Sequence, residues 1–594
     1  MKKTVSKILF LVMSLSLVAC GTTSLDEEEA VPTVKETTDI QNSSAIVEKG
    51  HEITSSEFPF YFNSADSGMK VTLYFLDDAT DLPYIEVNDW KMLSDNFFDS
   101  DTKDINFEID TKDSVVTYTR ISERTNDEDH GATMVIDFED NTISFKDYNL
   151  FCKRSSASTL FDSVLMSTVN EAGEPTLLEK VDTGSFTRYG DSLVFSLSDY
   201  NIDLIQQDEL YLIPLQTLSD IIMPNAAMGC FFFNGQSIIL SSDINNAADI
   251  YYTAQTGERS KPLAEYGYNE LCMMLDYFYG LKETHQITSF DKLFDEVGFD
   301  EPLKEGSVKD ADALIYRLIS DFISDGHSNF LAFSYLNGPL DYSAKDKTRS
   351  RVFEILDQQK AARAKYYPDG IPGYEEVGDT AYITFDNYFN SLEPNDYYEI
   401  NPEDYPEDDV IGLIIKSHAM ITRENSPIKN VVLDMSANTG GSDNVSALVV
   451  AWMLGEGTSS FVDTLTGAMG TSTYRADVNL DRVFDEKDTL GARKLFCLCS
   501  SCSFSNGNYV PCALKASSKV TLLGRATAGG ACTVLPASTA WGTSFQISSN
   551  QRKSFLKNGA FYDIDRGTEP DYALTSPESF YDRVALTDYI NSLP

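Results

Sequence analysis

The strongest constraint on this chain is a series of short apolar runs in its C-terminal half. They are TAYITFDNY from Thr380, KNVVLDMSANTGG from Lys429, KLFCLCSS from Lys494, KVTLLGRATAGG from Lys519 and SFQISS from Ser544. The runs from Thr380, Lys429, Lys494 and Lys519 are largely continuous in apolar residues, as strands buried on both faces are. VSALVVAWML, from Val445, and YVPCALKAS, from Tyr509, lie between them, and the first has helical character. Strands alternating with helices predict an α/β layer around a mostly buried sheet. An acidic, proline-bearing stretch from Asn390 to Ser426 reads as an insertion between the strand at Tyr382 and that at Val431.

Upstream the character changes twice. Residues from about 260 to 335 carry helical spacing in ELCMMLDYFYGLKETH and DADALIYRLISDFISDGHSNF. A charged helix candidate, KTRSRVFEILDQQKAARAKYY, then runs to a Pro/Gly break at PDGIPG. From Glu57 to Ile250 the chain reads as strands joined by acidic turns, as in MKVTLYFL and TMVIDFEDNTISF. Within it, Asp81–Phe98 and Asp208–Pro224 each run from an acidic residue through a short strand into a helix carrying Leu-Ser-Asp. Each precedes a paired strand signal, MVIDFEDNTISF and CFFFNGQSIIL.

At 594 residues the chain exceeds one core, and about three or four domains are expected. The expected division is a signal peptide at 1–20, a flexible linker at 21–55, a β-rich α+β domain at 56–250, a helical subdomain at 260–345 and a core at 346–594. A formal net charge of −46 opposes contact with phosphate backbones or anionic lipid heads, so no nucleic-acid partner is expected.

The N-terminus combines Lys2, Lys3 and Lys7 with an apolar run from Ile8 to Val18 and then Leu17-Val18-Ala19-Cys20, the layout of a secretory signal. Its end resembles a bacterial lipobox. That resemblance implies cleavage before Cys20, lipid attachment to its thiol, and a protein anchored on the extracellular face of a bacterial membrane, with no other membrane contact. Gly21 to about Ser55 is rich in Thr, Ser, Glu and Val without apolar periodicity, as a solvated tether is. Cys497, Cys499 and Cys502 invite a zinc reading, but the alternation in Cys497-Leu498-Cys499 suits a buried strand and no nearby histidine completes four ligands. No metal or cofactor is expected.

Ser505, in Ser503-Phe504-Ser505-Asn506-Gly507, follows one of the apolar runs and precedes a possible helix. A serine there is either a small residue at a turn or a nucleophile on a tight elbow, whose next backbone N–H can face an oxyanion.

Ordered motifs resolve that choice. SDGHS (with Asp325 to Ser328), TAYITF, VVLDMSANTGG (Val431 to Gly441), SFSNGN (Ser503 to Asn508), LLGRATAGG (Leu522 to Gly530) and DRGTEPD (Asp565 to Asp571) follow one another. Together they resemble the C-terminal processing, or tail-specific, serine proteases and their tricorn-core relatives, over about residues 265 to 594. The resemblance implies a crotonase-like (ClpP/crotonase-type) α/β catalytic core with a helical subdomain, and serine endopeptidase activity on a peptide or protein substrate. Ser505 matches the family nucleophile. Gly440 and Gly441, with the Asn506 N–H, match its oxyanion hole, where glycines let backbone donors approach a developing charge.

The base departs from the commoner pattern. Many bacterial members use a lysine in a G-x-T-x-G-K-G segment, and Gly530 stands at that place. The tricorn-like branch uses a histidine of the D-G-H motif, here His327, whose unperturbed pKa near 6.5 suits a general base. The family acid position is Ile564, so Asp565 is the expected orienting residue, with Asp563 and Glu569 as alternates. The family glutamate three residues past the nucleophile is Asn508, and Pro511 falls in the following helix. The interval from His327 to Thr380 is too short for a PDZ domain. A catalytically inactive surface binding or scaffold lipoprotein is the alternative reading. The N-terminal α+β region faintly resembles the small N-terminal module of copper amine oxidases, used for attachment, without a copper ligand set.

Overall fold

The computed structural model describes residues 50–97, 105–122, 132–152, 164, 166–170, 172–181, 186–226, 229–339 and 351–594. Cys20 and the expected signal and linker, to residue 49, lie outside these residues. Among the described residues no helix is long and apolar enough to cross a membrane. The fold is mixed α/β with several sheets.

A six-stranded sheet organises the C-terminal half, in the order Tyr374–Val377, Thr380–Thr384, Asn430–Asp434, Lys494–Cys499, Val520–Gly524 and Tyr572–Ala573. Its first pair is antiparallel and the rest run parallel. Successive side chains of each strand point to opposite faces. Ala381, Ile383, Val431, Leu433, Cys497, Cys499 and Leu522 pack under the helices Val410–Thr422, Asp443–Leu454 and Asn506–Ala516. Tyr382, Val432, Phe496, Leu498 and Leu523 meet Phe580 and the C-terminal helix Arg583–Ser592 on the other face. Burial on both faces explains why these strands read as unbroken apolar runs. Cys497 and Cys499 are fully buried strand residues of the helix-covered face.

The stretch 390–426 differs from the insertion expected of it. Its second half is the helix Val410–Thr422, which links two parallel strands and buries Val410, Ile411, Ile414 and Ile421 against the sheet. The acidic first half disguised it. Asp409 belongs to the helix signal itself, since its carboxylate accepts the Gly412 N–H as an N-cap.

Most of the strands before residue 250 form a seven-stranded and a five-stranded sheet. The two similar stretches fold alike, as Ala79–Glu86 leading into the helix Val87–Phe97 and Leu210–Pro214 leading into Leu215–Ala226. Their strands pair antiparallel with each other.

Strand pairing also crosses the boundary expected near residue 250. Pro175–Lys180 and Phe186–Arg188 both pair with Met469–Ala476. They belong to a nine-stranded sheet whose longest member is Ser544–Lys557.

Candidate active site

Ser505 stands between the strand Lys494–Cys499 and the helix Asn506–Ala516, as its N-cap residue. Its backbone has φ 57° and ψ −127°, a conformation a side-chain-bearing residue occupies only when its surroundings hold it there. The Ser505 N–H donates to the Gly529 carbonyl at 3.0 Å, and the Ala528 N–H to the Ser503 carbonyl at 2.8 Å, so the Ala528–Gly529 segment clamps the turn. Pro511 is accommodated inside the helix that follows.

The glycine loop after Asn430–Asp434 meets this elbow. A Cβ on Gly440 would lie 2.9 Å from the Ser505 Cβ and 3.3 Å from the Asn506 nitrogen, so only glycine permits the approach. The three expected oxyanion donors differ in availability. The Gly440 N–H donates to Asn438 Oδ1 at 2.9 Å and is therefore already occupied. The Gly441 and Asn506 N–H groups have no hydrogen-bond partner among the described residues. Asn438 was not anticipated; its side-chain amide also donates to the Phe385 carbonyl at 3.3 Å, which fixes the loop from below.

His327 lies in the loop before the strand Asn329–Ala332. Asp325 shapes that loop by accepting the N–H groups of His327 and Ser328, at 3.0 and 2.7 Å, and the hydroxyls of Tyr279 and Ser548, both at 2.7 Å. Gln546 Nε2 donates to the His327 carbonyl at 2.9 Å. The imidazole is 3% exposed and packs on the Phe504 ring, centroid to centroid 4.7 Å. Burial lowers its pKa to about 4 against the opposing pull of Asp325. Its buried Nδ1 has no hydrogen-bond partner among the described residues, and no hydrogen bond joins His327 to Ser505.

Phe504 is what brings the two loops together. Cβ atoms on Gly326 and Gly530 would fall 1.9 and 2.3 Å from its ring carbons, so the ring fits only because both positions lack side chains. The same contact explains the missing lysine. At φ +89°, and with Phe504 filling the space beside it, position 530 has no room for a long side chain.

Asp565 is held against the clamping segment. Its Oδ1 accepts the Ala531 N–H at 2.9 Å and its carbonyl the Gly530 N–H at 3.3 Å. Burial raises its pKa, with Arg552 acting against the shift. Asp563 is exposed and paired with Arg552 at 2.7 Å, and Glu569 is exposed. None of the three hydrogen-bonds to His327. Asn508, in the place of the family glutamate, accepts the Thr527 hydroxyl at 2.7 Å and donates to the Ile564 carbonyl at 2.9 Å, which ties the helix to the acid-bearing loop. Half-buried His285 is electrostatically close to both Asp325 and Asp565, and burial lowers its pKa. Buried His418 accepts from Trp452, and His51 stands near exposed Asp77 and Asp78, so neither belongs to this cluster.

Residues 416–574 match the family model described as Peptidase family S41. The match spans the glycine loop, Ser505 and Asp565. No curated protein matches the chain. Among solved structures, a candidate peptidase from Parabacteroides merdae shares 15% identity over 56% of this chain and 96% of its own, with a TM-score of 0.39. A lipoprotein from Streptococcus agalactiae shares 14% over 56% and 96%, with a TM-score of 0.32. The photosystem II D1 C-terminal processing protease shares 16% over 35% and 47%, with a TM-score of 0.25.

Proposed function

We propose, from the match of residues 416–574 to Peptidase family S41, a serine peptidase family, that this chain is an exported, lipid-anchored serine endopeptidase with a crotonase-like core. The observation that carries the proposal is the strained φ of Ser505 beside two backbone donors unoccupied among the described residues, the Gly441 and Asn506 N–H groups. Ser505 attacks a substrate carbonyl, and these donors receive the tetrahedral oxyanion. His327 takes the serine proton as general base and returns it to the leaving amine. Asp565 orients the imidazole at Nδ1, which has no hydrogen-bond partner among the described residues, once substrate has turned the ring from Phe504 toward Ser505. Water then releases the acyl-enzyme. Cys20 bears the lipid, placing the enzyme on the extracellular face of a bacterial membrane.

Replacing Ser505 by Ala is expected to abolish hydrolysis of an unfolded protein substrate without lowering the melting temperature. Equal turnover by that variant overturns the proposal. His327→Ala should be nearly as damaging. Because burial holds His327 neutral to about pH 4, kcat/KM should stay level well below the usual histidine pKa before its acid limb appears.

The absence of a Ser505–His327 hydrogen bond favours a second reading, a surface binding module without turnover. A fluorophosphonate probe separates the two, since a serine without an activating base stays unlabelled.

A further inference from the structure

Lys553 is a buried lysine that the reaction above does not use. It lies on the long strand Ser544–Lys557 and is 6% exposed. Its ammonium donates to the Asp443 carboxylate, to Asn506 Oδ1 at 2.9 Å and to Ser446 Oγ at 3.1 Å, and it sits 4.4 Å from the centre of the Tyr509 ring. An ammonium has three N–H bonds, so every donor is assigned and none is left for the Ser505 hydroxyl. Burial lowers its pKa while Asp443 opposes the shift.

The surroundings show what the lysine holds. Asp443 and Asn506 begin the helices Asp443–Leu454 and Asn506–Ala516, so two helix N-termini converge on this point. A lone cation there would oppose both dipoles, and the Asp443 carboxylate offsets it. The side-chain amide of Asn506 is gripped at both ends. Its oxygen accepts from Lys553, while its nitrogen donates to Asp443 Oδ1 at 2.8 Å and to the Gly441 carbonyl at 2.6 Å. The Gly441 carbonyl is therefore held from within the same side chain whose backbone N–H is the second oxyanion donor. The loop is fixed on its other side as well, because the Tyr388 N–H donates to the Gly440 carbonyl at 2.9 Å and the Ser442 N–H to the Tyr388 carbonyl at 2.8 Å.

We propose that Lys553 is a positioning residue for the oxyanion hole: through Asp443 and the Asn506 amide it sets the orientation of the Gly441 and Asn506 N–H groups toward the reacting carbonyl. The inference rests on the reading of Ser505 as nucleophile. It assigns to this lysine a role distinct from the base of a Ser–Lys dyad.

The test compares Lys553→Met, Asn506→Ala and the double variant with the parent full-length protein, using hydrolysis of an unfolded protein and the rate of fluorophosphonate labelling at Ser505. Lys553→Met leaves Asp443 without its cation, so Lys553→Met/Asp443→Asn is made beside it to separate loss of folding from loss of positioning. The expected result is a fall in kcat of about 10²-fold, the scale of a small misplacement at a reacting centre, with KM nearly unchanged. Labelling should slow in parallel, the pH profile should keep its shape, and Lys553→Met and Asn506→Ala should be strongly non-additive because they break one network. Folded Lys553→Met or Lys553→Met/Asp443→Asn protein with parental kcat overturns the inference, as does loss of a limb of the pH profile, which would make the lysine a base. If Ser505→Ala retains turnover, the nucleophile reading fails first, an outcome distinct from either.

Discussion

Phe504 occupies the seam between the His327 loop and the Ser505 turn, and its fit depends on two glycines far from it in the chain. Gly326→Ala puts a methyl group 1.9 Å from a ring carbon of Phe504. The ring is walled in by His327 and Gly530, so the loop must give, at a cost of about 1–3 kcal/mol for an overpacked core. The melting temperature should fall and turnover with it. Gly326→Ala combined with Phe504→Leu should recover part of the stability, and calorimetry of the two variants checks this. Such contacts also mark the limit of what the residues disclosed. Ser505, the glycine loop and the D-G-H histidine stood out through ordered motifs that resemble a protease family, whereas locally Ser505 could equally have been a small residue at a turn. Phe504, Asn438 and Lys553 gave no local signal, since each acquires its role from partners brought together only by folding.

The helix Val410–Thr422 is joined to the helix Asp443–Leu454 by one buried histidine. His418 Nδ1 accepts the Trp452 indole N–H at 3.1 Å, and Nε2 faces the Lys487 carbonyl at 2.8 Å. A carbonyl requires a donor, so the proton is on Nε2 and the ring is neutral. Protonating Nδ1 would set N–H against N–H, and burial already lowers this pKa. With the folded pKa below the unfolded value, the unfolded chain binds the proton first. The contribution is therefore complete above about pH 6.5 and is lost as the pH falls from there toward the folded pKa. Urea midpoints of the parent and His418→Gln between about pH 5 and pH 8 should converge as the pH drops. Elements of this kind were half legible. The buried strands announced themselves through unbroken apolar runs, whereas the His418 helix was hidden behind a proline-bearing acidic stretch that resembles a loop.

The whole molecule does not divide where composition changes. Ser167–Val169, Pro175–Lys180 and Phe186–Arg188 complete a sheet whose other strands come from beyond residue 320. Partners some three hundred residues apart leave no trace in local periodicity, which is why the boundary near residue 250 looked clean. A fragment beginning at residue 260 would expose the edge of Met469–Ala476, an open template for pairing with other chains. Expressed alone, that fragment should aggregate, whereas the chain from residue 50 should run as a soluble species in size-exclusion chromatography.

The long strand Ser544–Lys557 has a consequence at this same scale. It reaches the His327 loop through Gln546 and Ser548, the N-terminal half through Gln551 and Asn225, and the Asp443–Asn506 hydrogen-bond network through Lys553. Side chains on a strand change face with every residue, so a single insertion between Gln546 and Lys553 would turn away every contact on one side of it while leaving those on the other side in place. The segment therefore acts as a ruler whose length is fixed by three separate readers. Descendants of this sequence are free to change its letters, but an insertion or deletion within it would have to be matched by simultaneous changes in distant parts of the chain.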